Sequence, residues 1–247
     1  MHVGKSLSAA LIIGAGDATG GAIARAFAAE GLTACVNRRP RHADTLEELA
    51  QSIRDAGHNA KAFPADARDE EAMIAMIDSI ERDIGPIEVA VFNIGANVRF
   101  GITDTTAQVY RKVWEMAAFA GFLMGREVAK HMITRQRGTI IFTGATASIR
   151  GGVGFSAFSG AKAALRMLAQ SMARELGPQN IHVAHSIIDG GIDTEFIRGI
   201  RPDFEDAKAN DLVLSPDAIA AQYVGLHRQH RSAWTHELDL RPWGESF

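Results

Sequence analysis

A short apolar run, Ala10-Leu11-Ile12-Ile13, stops at Gly14-Ala15-Gly16, and a helical pattern starts around Gly20-Gly21. No other stretch narrows the possible folds as sharply. Strand, tight glycine turn and helix in direct succession are the opening of a nucleotide-binding α/β unit. Glycine backbone can approach a pyrophosphate closely, and the first helical turn offers it unpaired N–H groups. Ile23, Phe27 and Ala28 carry the helix to Glu30-Gly31, where glycine supplies a C-terminal stop.

Strand-like and helix-like patterns then alternate. Thr33-Ala34-Cys35-Val36 reads as a second strand ending at Asn37-Arg38-Arg39. Asp44-Thr45-Leu46-Glu47 has the spacing of a capping box, ahead of Leu46, Leu49, Ala50 and Ile53 on one helical face. A third strand is expected over 60–65, an amphipathic helix over 69–84, and a strand buried on both faces over 87–92. The long helical pattern over 107–135 contains Gly121 and Gly125, four apart, which predicts close helix contact. Strands at 139–143 and Ile181–Ile188 bracket Ser156–Leu176, a helix apolar on more than one side. Such a helix is expected to be covered twice, by its own sheet and by a partner subunit. The mixed segment 193–214 reads as a lid-like insertion, Ser215-Pro216-Asp217 opens a last helix, and 233–240 forms a last strand. The expectation is one α/β domain over 1–247: a doubly wound, seven-stranded parallel sheet flanked by helices in three layers.

At 247 residues the chain is long enough to bury a large core. A net charge of -3 gives no electrostatic reason to propose nucleic acid as a partner. The single cysteine, Cys35, sits in an expected strand, which excludes an internal disulfide and predicts a buried thiol. No apolar stretch approaches membrane-spanning length and no leader-like segment opens the sequence, so no membrane partner and a cytoplasmic location are expected.

Taken in order, these motifs resemble the short-chain dehydrogenase/reductase superfamily, over the whole chain and not merely its first third. Gly14 and Gly20 match the outer glycines of that family's Gly-x-x-x-Gly-x-Gly, and Ala18 replaces the middle one, while Gly16 and Gly21 leave room for adjustment. Asp66 falls where the family sets an aspartate against the adenine. Asn93 and Gly95 partly keep its Asn-Asn-Ala-Gly segment. Thr194 resembles the threonine that contacts the nicotinamide amide, and Asp189 stands where a proline is usual. The resemblance therefore implies a Rossmann-like fold with Gly14, Gly16, Asp17, Ala18, Thr19, Gly20, Asp66, Asn93, Gly95, Lys162 and Thr194 at a bound dinucleotide.

Cofactor choice rests on the end of the second strand. NAD-selective relatives carry an acidic side chain there for the ribose hydroxyls. This chain has Arg38, with Arg39 beside it, and a guanidinium pairs with a 2'-phosphate that a carboxylate would repel. NADP(H) is favoured over NAD(H). The alternative leaves both arginines in solvent and gives the ribose to Asn37.

The family's proton-relay set of Asn, Ser, Tyr and Lys is mostly missing. The Tyr-x-x-x-Lys stretch is Phe158-Ser159-Gly160-Ala161-Lys162, the serine position holds Ala145 and the asparagine position Ala117. Enoyl reductases of the same superfamily place a tyrosine seven residues before the lysine, and here that residue is Phe155. Lys162 is the one retained member. Positioned proton transfer contributes typically ~10²–10⁴-fold, and neither phenylalanine nor alanine can supply it. Thr143, Thr146, Ser148, Ser156 and Ser159 lie close enough in sequence to be considered, but the Ser159 hydroxyl points about one hundred degrees away from position 158 on a helix. Asn97, Arg99, Asp189 and Asp193 follow carboxyl strand ends, where α/β sites form. His182 and His185, three apart in a strand, face opposite ways, and no metal site is expected.

Two functions follow as expectations: an NADP(H)-binding oxidoreductase with an unusual active site, or a catalytically silent dinucleotide-binding sensor or partner subunit. The helices at 107–135 and Ser156–Leu176 correspond to those that build a four-helix interface in family dimers. Trp234, Trp243 and Phe247 offer a second interface and hence a tetramer.

Overall fold

The computed structural model describes residues 8–16 and 18–245. Its centre is a parallel seven-stranded sheet in the order β3-β2-β1-β4-β5-β6-β7. The strands are β1 (Ala9–Ile13), β2 (Thr33–Arg38), β3 (Ala60–Pro64), β4 (Ile87–Phe92), β5 (Gly138–Thr143), β6 (Ile181–Ile188) and β7 (Glu237–Leu240). The four middle strands β1, β4, β5 and β6 are the near-continuous apolar runs of the sequence, and they are buried almost throughout. That is what helices on both faces require. The edge strands β3 and β7 are only half-buried.

One helical layer consists of α1 (Thr19–Ala29), α2 (Ala43–Asp55) and α9 (Pro216–Arg228). Ile23 and Phe27 of α1 share a core with Ile219 and Tyr223 of α9. The other layer holds α3 (Glu70–Asp83), α5 (Ala120–Arg135) and α6 (Ser156–Leu176), whose Met73, Ile77, Leu123, Met124, Leu165 and Met172 pack on the opposite face. Gly121 and Gly125 are where α5 meets α6. A Cβ at Gly121 would stand 2.6 Å from Leu165 Cδ1, and one at Gly125 2.9 Å from Met172 Cε. This is the Rossmann-like three-layer α/β/α architecture, with the strand order reversing between β1 and β4.

Three local readings of the sequence are corrected. Pro40–His42 forms a 3-10 turn that leads directly into α2, so Asp44 lies inside the first turn and the helix has no side-chain cap. A side-chain cap does form at α3, where Asp69 accepts from Ala72 N at 3.1 Å. The last strand begins at Glu237 instead of 233, because Trp234 stacks on His182 and Thr235 is tied to Gln229 by two side-chain bonds of 2.7 and 2.8 Å. Finally, the helix over 107–135 is interrupted. Between α4 (Ala107–Trp114) and α5, residues Glu115–Phe119 form a π-helical turn that carries Ala117. Such turns are rare and concentrate at functional sites.

Segment 193–214 contains two short helices, α7 (Glu195–Ile200) and α8 (Phe204–Ala209), lying past the carboxyl end of β6. No helix among the described residues is long and apolar enough to cross a membrane.

Candidate functional site

The carboxyl ends of the strands open into two cavities, of about 200 Å³ and about 560 Å³. Asn93, Ile94 and Gly95, which follow β4, line both, so the two form one cleft along the sheet.

The smaller cavity is built by β1, β2 and β3. Gly14 takes a φ of +84°, and a Cβ there would press on Asn93 O at 2.8 Å. At Gly20 a Cβ would stand 2.4 Å from Gly14 O, so a side chain would drive α1 away from the turn. Gly14 N and Ala15 N both donate to Asn37 O at 3.0 Å, which clamps the turn to β2. Ala18 occupies the N-cap position of α1 without a side-chain cap, and its methyl leaves the helix intact. Asp17 lies outside the described residues. Across from the turn, the Arg38 guanidinium carbon is 4.0 Å from where a Gly16 Cβ would stand. Among the described residues Arg38 makes no side-chain hydrogen bond or ion pair.

Arg39 lines the same cavity, its pKa lowered by partial burial and by Arg41, Arg68 and Arg38 nearby. Asp66 does too, but Arg68 grips its carboxylate through bonds of 3.0 and 2.5 Å and holds it below the usual carboxylate range. The Asn37 amide is buried and donates to Phe63 O at 2.8 Å and Ala65 O at 3.1 Å. Its nitrogen fastens β2 to the end of β3 and the residue after it, while Asn37 itself lines the cavity. The glycine loop, Arg38, Arg39 and Asp66 thus provide polar and positively charged surface of the kind an adenosine phosphate needs, with an open position at Gly95.

The larger cavity is walled by apolar groups. Phe158 and Ala145 line it. Ala117, fully buried, packs behind them with Val113, Ala118, Ala157 and Ala161. Lys162 also lines it, and its ammonium donates to Thr143 O at 2.7 Å and Ile94 O at 2.9 Å. Burial pushes this group down to about 7 from 10.5. Thr19 and Thr194 are at the cavity wall, and Thr194 Oγ1 caps α7 by accepting from Ile197 N at 3.2 Å.

The remaining polar candidates separate clearly. Thr143 is bonded to the buried Tyr223 hydroxyl at 2.9 Å. Ser148 Oγ accepts from Ala145 N at 3.0 Å, which orders the segment after β5. Ser159 and Asn97 line the cavity, Ser156 does not, and Asp193 is paired with Lys208 at 2.7 Å. Arg99 lies over the Phe155 ring at 5.7 Å. Thr146 lines the cavity and donates to Asp189 at 2.5 Å, while Asp189 itself is 1% exposed. His182 and His185 face opposite ways: one stacks on Trp234, the other contacts Glu237 at 3.2 Å. Burial drives His185 down to about 4. Among the described residues no cluster of three or more potential metal ligands occurs.

Sequence reasoning passed over Arg150, which lines the larger cavity. The signal was available: it is the only charged residue between Gly144 and Gly154, directly after a strand end.

A family model described as short chain dehydrogenase matches residues 8–205. The crystal structure of a short-chain dehydrogenase from Rhodopseudomonas palustris is similar, with a TM-score of 0.82 and 45% identity, covering 97% of this chain and 100% of that one. The 2,3-dihydro-2,3-dihydroxybenzoate dehydrogenase of Bacillus subtilis is 32% identical over 70% of this chain. The 2-dehydro-3-deoxy-D-gluconate 5-dehydrogenase of Pseudoalteromonas atlantica is 27% identical over 66% of it. The aligned stretches span just under two thirds of those two enzymes' own lengths, 65% and 63%.

Proposed function

The chain belongs to the short-chain dehydrogenase family, and from that premise we propose that it is an NADP(H)-binding oxidoreductase whose active site lacks the family's hydroxyl relay. The observation that carries the reading is Arg38: a guanidinium beside the glycine turn, with no protein partner among the described residues. Leaving those donors unused by the protein makes sense if a 2'-phosphate takes them.

The residues fit a dinucleotide. Gly14, Gly16, Ala18, Thr19 and Gly20 would hold its pyrophosphate, with Asp17 in the same turn by sequence. Arg38 and Arg39 would face the 2'-phosphate, Asp66 the adenine, and Asn93, Gly95, Lys162 and Thr194 the nicotinamide half. When bound, the dinucleotide supplies or accepts hydride. When protonated, Lys162 fixes the main chain at the end of β5 and just after β4 with two of its three N–H donors, which leaves one for a ribose hydroxyl. Phe158, Ala145 and Ala117 exchange no proton. The wall therefore suits an acceptor activated by conjugation, or one whose proton comes from water. Residues 1–247 act in this reading as one nucleotide-binding domain, with 193–214 as the lid.

A second reading, a silent dinucleotide-binding sensor or partner subunit, is favoured by one observation: the retained lysine is committed to two carbonyls and the wall around it is apolar. NADPH and NADH fluorescence titrations test binding, and turnover over carbonyls and enones separates the two readings. Tight NADPH binding that Arg38→Ala leaves unchanged overturns the cofactor assignment. Binding without turnover on any substrate favours the silent reading.

The helix faces left open point to self-association. Trp114, Phe119 and Phe122 stack in succession at 5.8 and 6.1 Å along α4 and α5, and Trp114, Phe122 and Met167 are all more than a third exposed. We infer a dimer through this surface. Trp243, 80% exposed, offers a second contact toward a tetramer, whereas Trp234 is spent on His182 and Phe247 lies outside the described residues. Light scattering showing a monomer at micromolar concentration overturns both.

A further inference from the structure

We propose that the larger cavity takes a ring-bearing carboxylate, with the carboxylate paired to Arg150 and the ring seated against Phe155, Phe158 and Phe196. The inference rests on the preceding reading for the cavity's role as the substrate site.

Two basic side chains, Arg150 and Lys162, line a cavity of about 560 Å³, and among the described residues no aspartate or glutamate lines it. Lys162 is bonded to Ile94 O and Thr143 O. Arg150 is in a different position. Its guanidinium makes no hydrogen bond to the described residues, and its one partner, Asp189 Oδ1, is 3.6 Å away, beyond hydrogen-bond length. That oxygen is already taken by the Thr146 hydroxyl, and Arg241 shares the carboxylate at 3.6 Å. Asp189, 1% exposed, therefore orients Arg150 by charge without consuming its donor fork. A planar guanidinium with its donors unspent matches a carboxylate edge, and with the side chain 49% exposed a carboxylate can reach it from the cavity mouth.

The walls select what is attached to the anion. Phe155 and Phe158 come from α6 and the turn before it, and Phe196 from the short helix of the lid. Phe196, 58% exposed, lines the cavity and leaves an apolar face open to whatever occupies it. A phosphate dianion would find one uncommitted lining cation for two charges. A carboxylate needs one. Arg99, over the Phe155 ring, adds positive potential near the rim without lining the cavity.

Calorimetric titration with benzoate, its neutral isostere benzamide, and acetate tests both halves of the proposal, on NADPH-saturated and on nucleotide-free protein. Benzoate is expected to bind at least about tenfold more tightly than either comparison compound. Arg150→Met is expected to erase the margin over benzamide, and Arg150→Lys, which keeps the charge without the fork, to retain part of it. Equal affinity for benzoate and benzamide, absence of benzoate binding, or a margin that survives in Arg150→Met overturns the proposal. NADPH binding is followed separately by its own fluorescence. A benzoate margin without nucleotide binding leaves the carboxylate site standing and overturns the cofactor reading, and nucleotide binding without the margin does the reverse.

Discussion

The two ends of the cleft are built from opposite materials. At the β2–β3 end the lining is polar and charged, with Arg38, Arg39, Asp66 and Arg68 converging on a glycine turn. At the β5–β6 end Ala145 and Phe158, backed by Ala117, replace the polar groups of the family pattern, and Lys162 is drawn into the wall. The same sheet positions both. What differs in the proposed reading is the consequence of a substitution: at the first end it would change which nucleotide is held, and at the second whether a proton can move. In that reading, holding a dinucleotide and performing proton-coupled hydride transfer are separable properties of one sheet.

The strongest way to break the contrast is to rebuild the apolar end. Ala117→Asn, Ala145→Ser and Phe158→Tyr together are expected to raise carbonyl reduction by about 10²–10⁴-fold if missing hydroxyls are all that limits it. Steady-state NADPH oxidation with a ketone panel measures this. No gain in a folded triple variant means that the cavity also lacks a productive substrate pose.

The next effect concerns Lys162 and is read in stability. Its folded pKa, about 7, lies below the 10.5 of an exposed lysine, so between these values the unfolded chain holds a proton that the folded chain does not. Stability must then rise with pH, by about 2 kcal/mol from pH 7 to 9. Above 9 the trend reverses, because burial raises Cys35 from 9.0 to about 12 and Tyr223 from 10.0 to about 12, and the unfolded chain loses those protons first. Urea unfolding at pH 7, 8 and 9 should show the rise in the native chain and lose it in Lys162→Met. A flat profile in both shows that the bonds to Ile94 O and Thr143 O offset desolvation.

At the charged end the expected effect is smaller. Arg38→Ala should weaken NADPH by about tenfold and leave NADH nearly unchanged, since one charge-assisted contact is lost. Parallel fluorescence titrations measure the ratio. Equal weakening of both nucleotides would show that Arg38 supports the glycine turn and does not read the phosphate.

How much of this was legible beforehand divides along the same line. The buried strands and the order of elements were readable because apolar runs bounded by glycines leave few alternatives. Gly121 and Gly125 announced a close helix contact in the same way. The Asp44 cap was misread because a capping-box spacing says nothing about the 3-10 turn at Pro40–His42 that starts the helix earlier. Asn37 lines the cavity, but its amide nitrogen is spent on the carbonyls of Phe63 and Ala65, twenty-six and twenty-eight positions away, a pairing that only the sheet creates. The π-turn that carries Ala117 and the unspent donors of Arg150 depend on long-range packing, which periodicity does not encode.

Arg39 gives the finest division within the charged end. It stands next to Arg38 in sequence and lines the same cavity, yet its surroundings differ. Partial burial and the charges of Arg41, Arg68 and Arg38 depress its pKa, while Asp66 compensates only in part. A guanidinium so placed raises the local positive potential but is surrounded by repulsion that its removal would relieve. Arg39→Ala should therefore weaken NADPH by no more than about threefold, an effect within the range of a screened charge and below that of a direct bidentate contact. Raising the salt concentration should shrink this effect toward zero while the Arg38→Ala effect persists. If the salt sensitivities are reversed, Arg39 holds the phosphate and Arg38 merely attracts it.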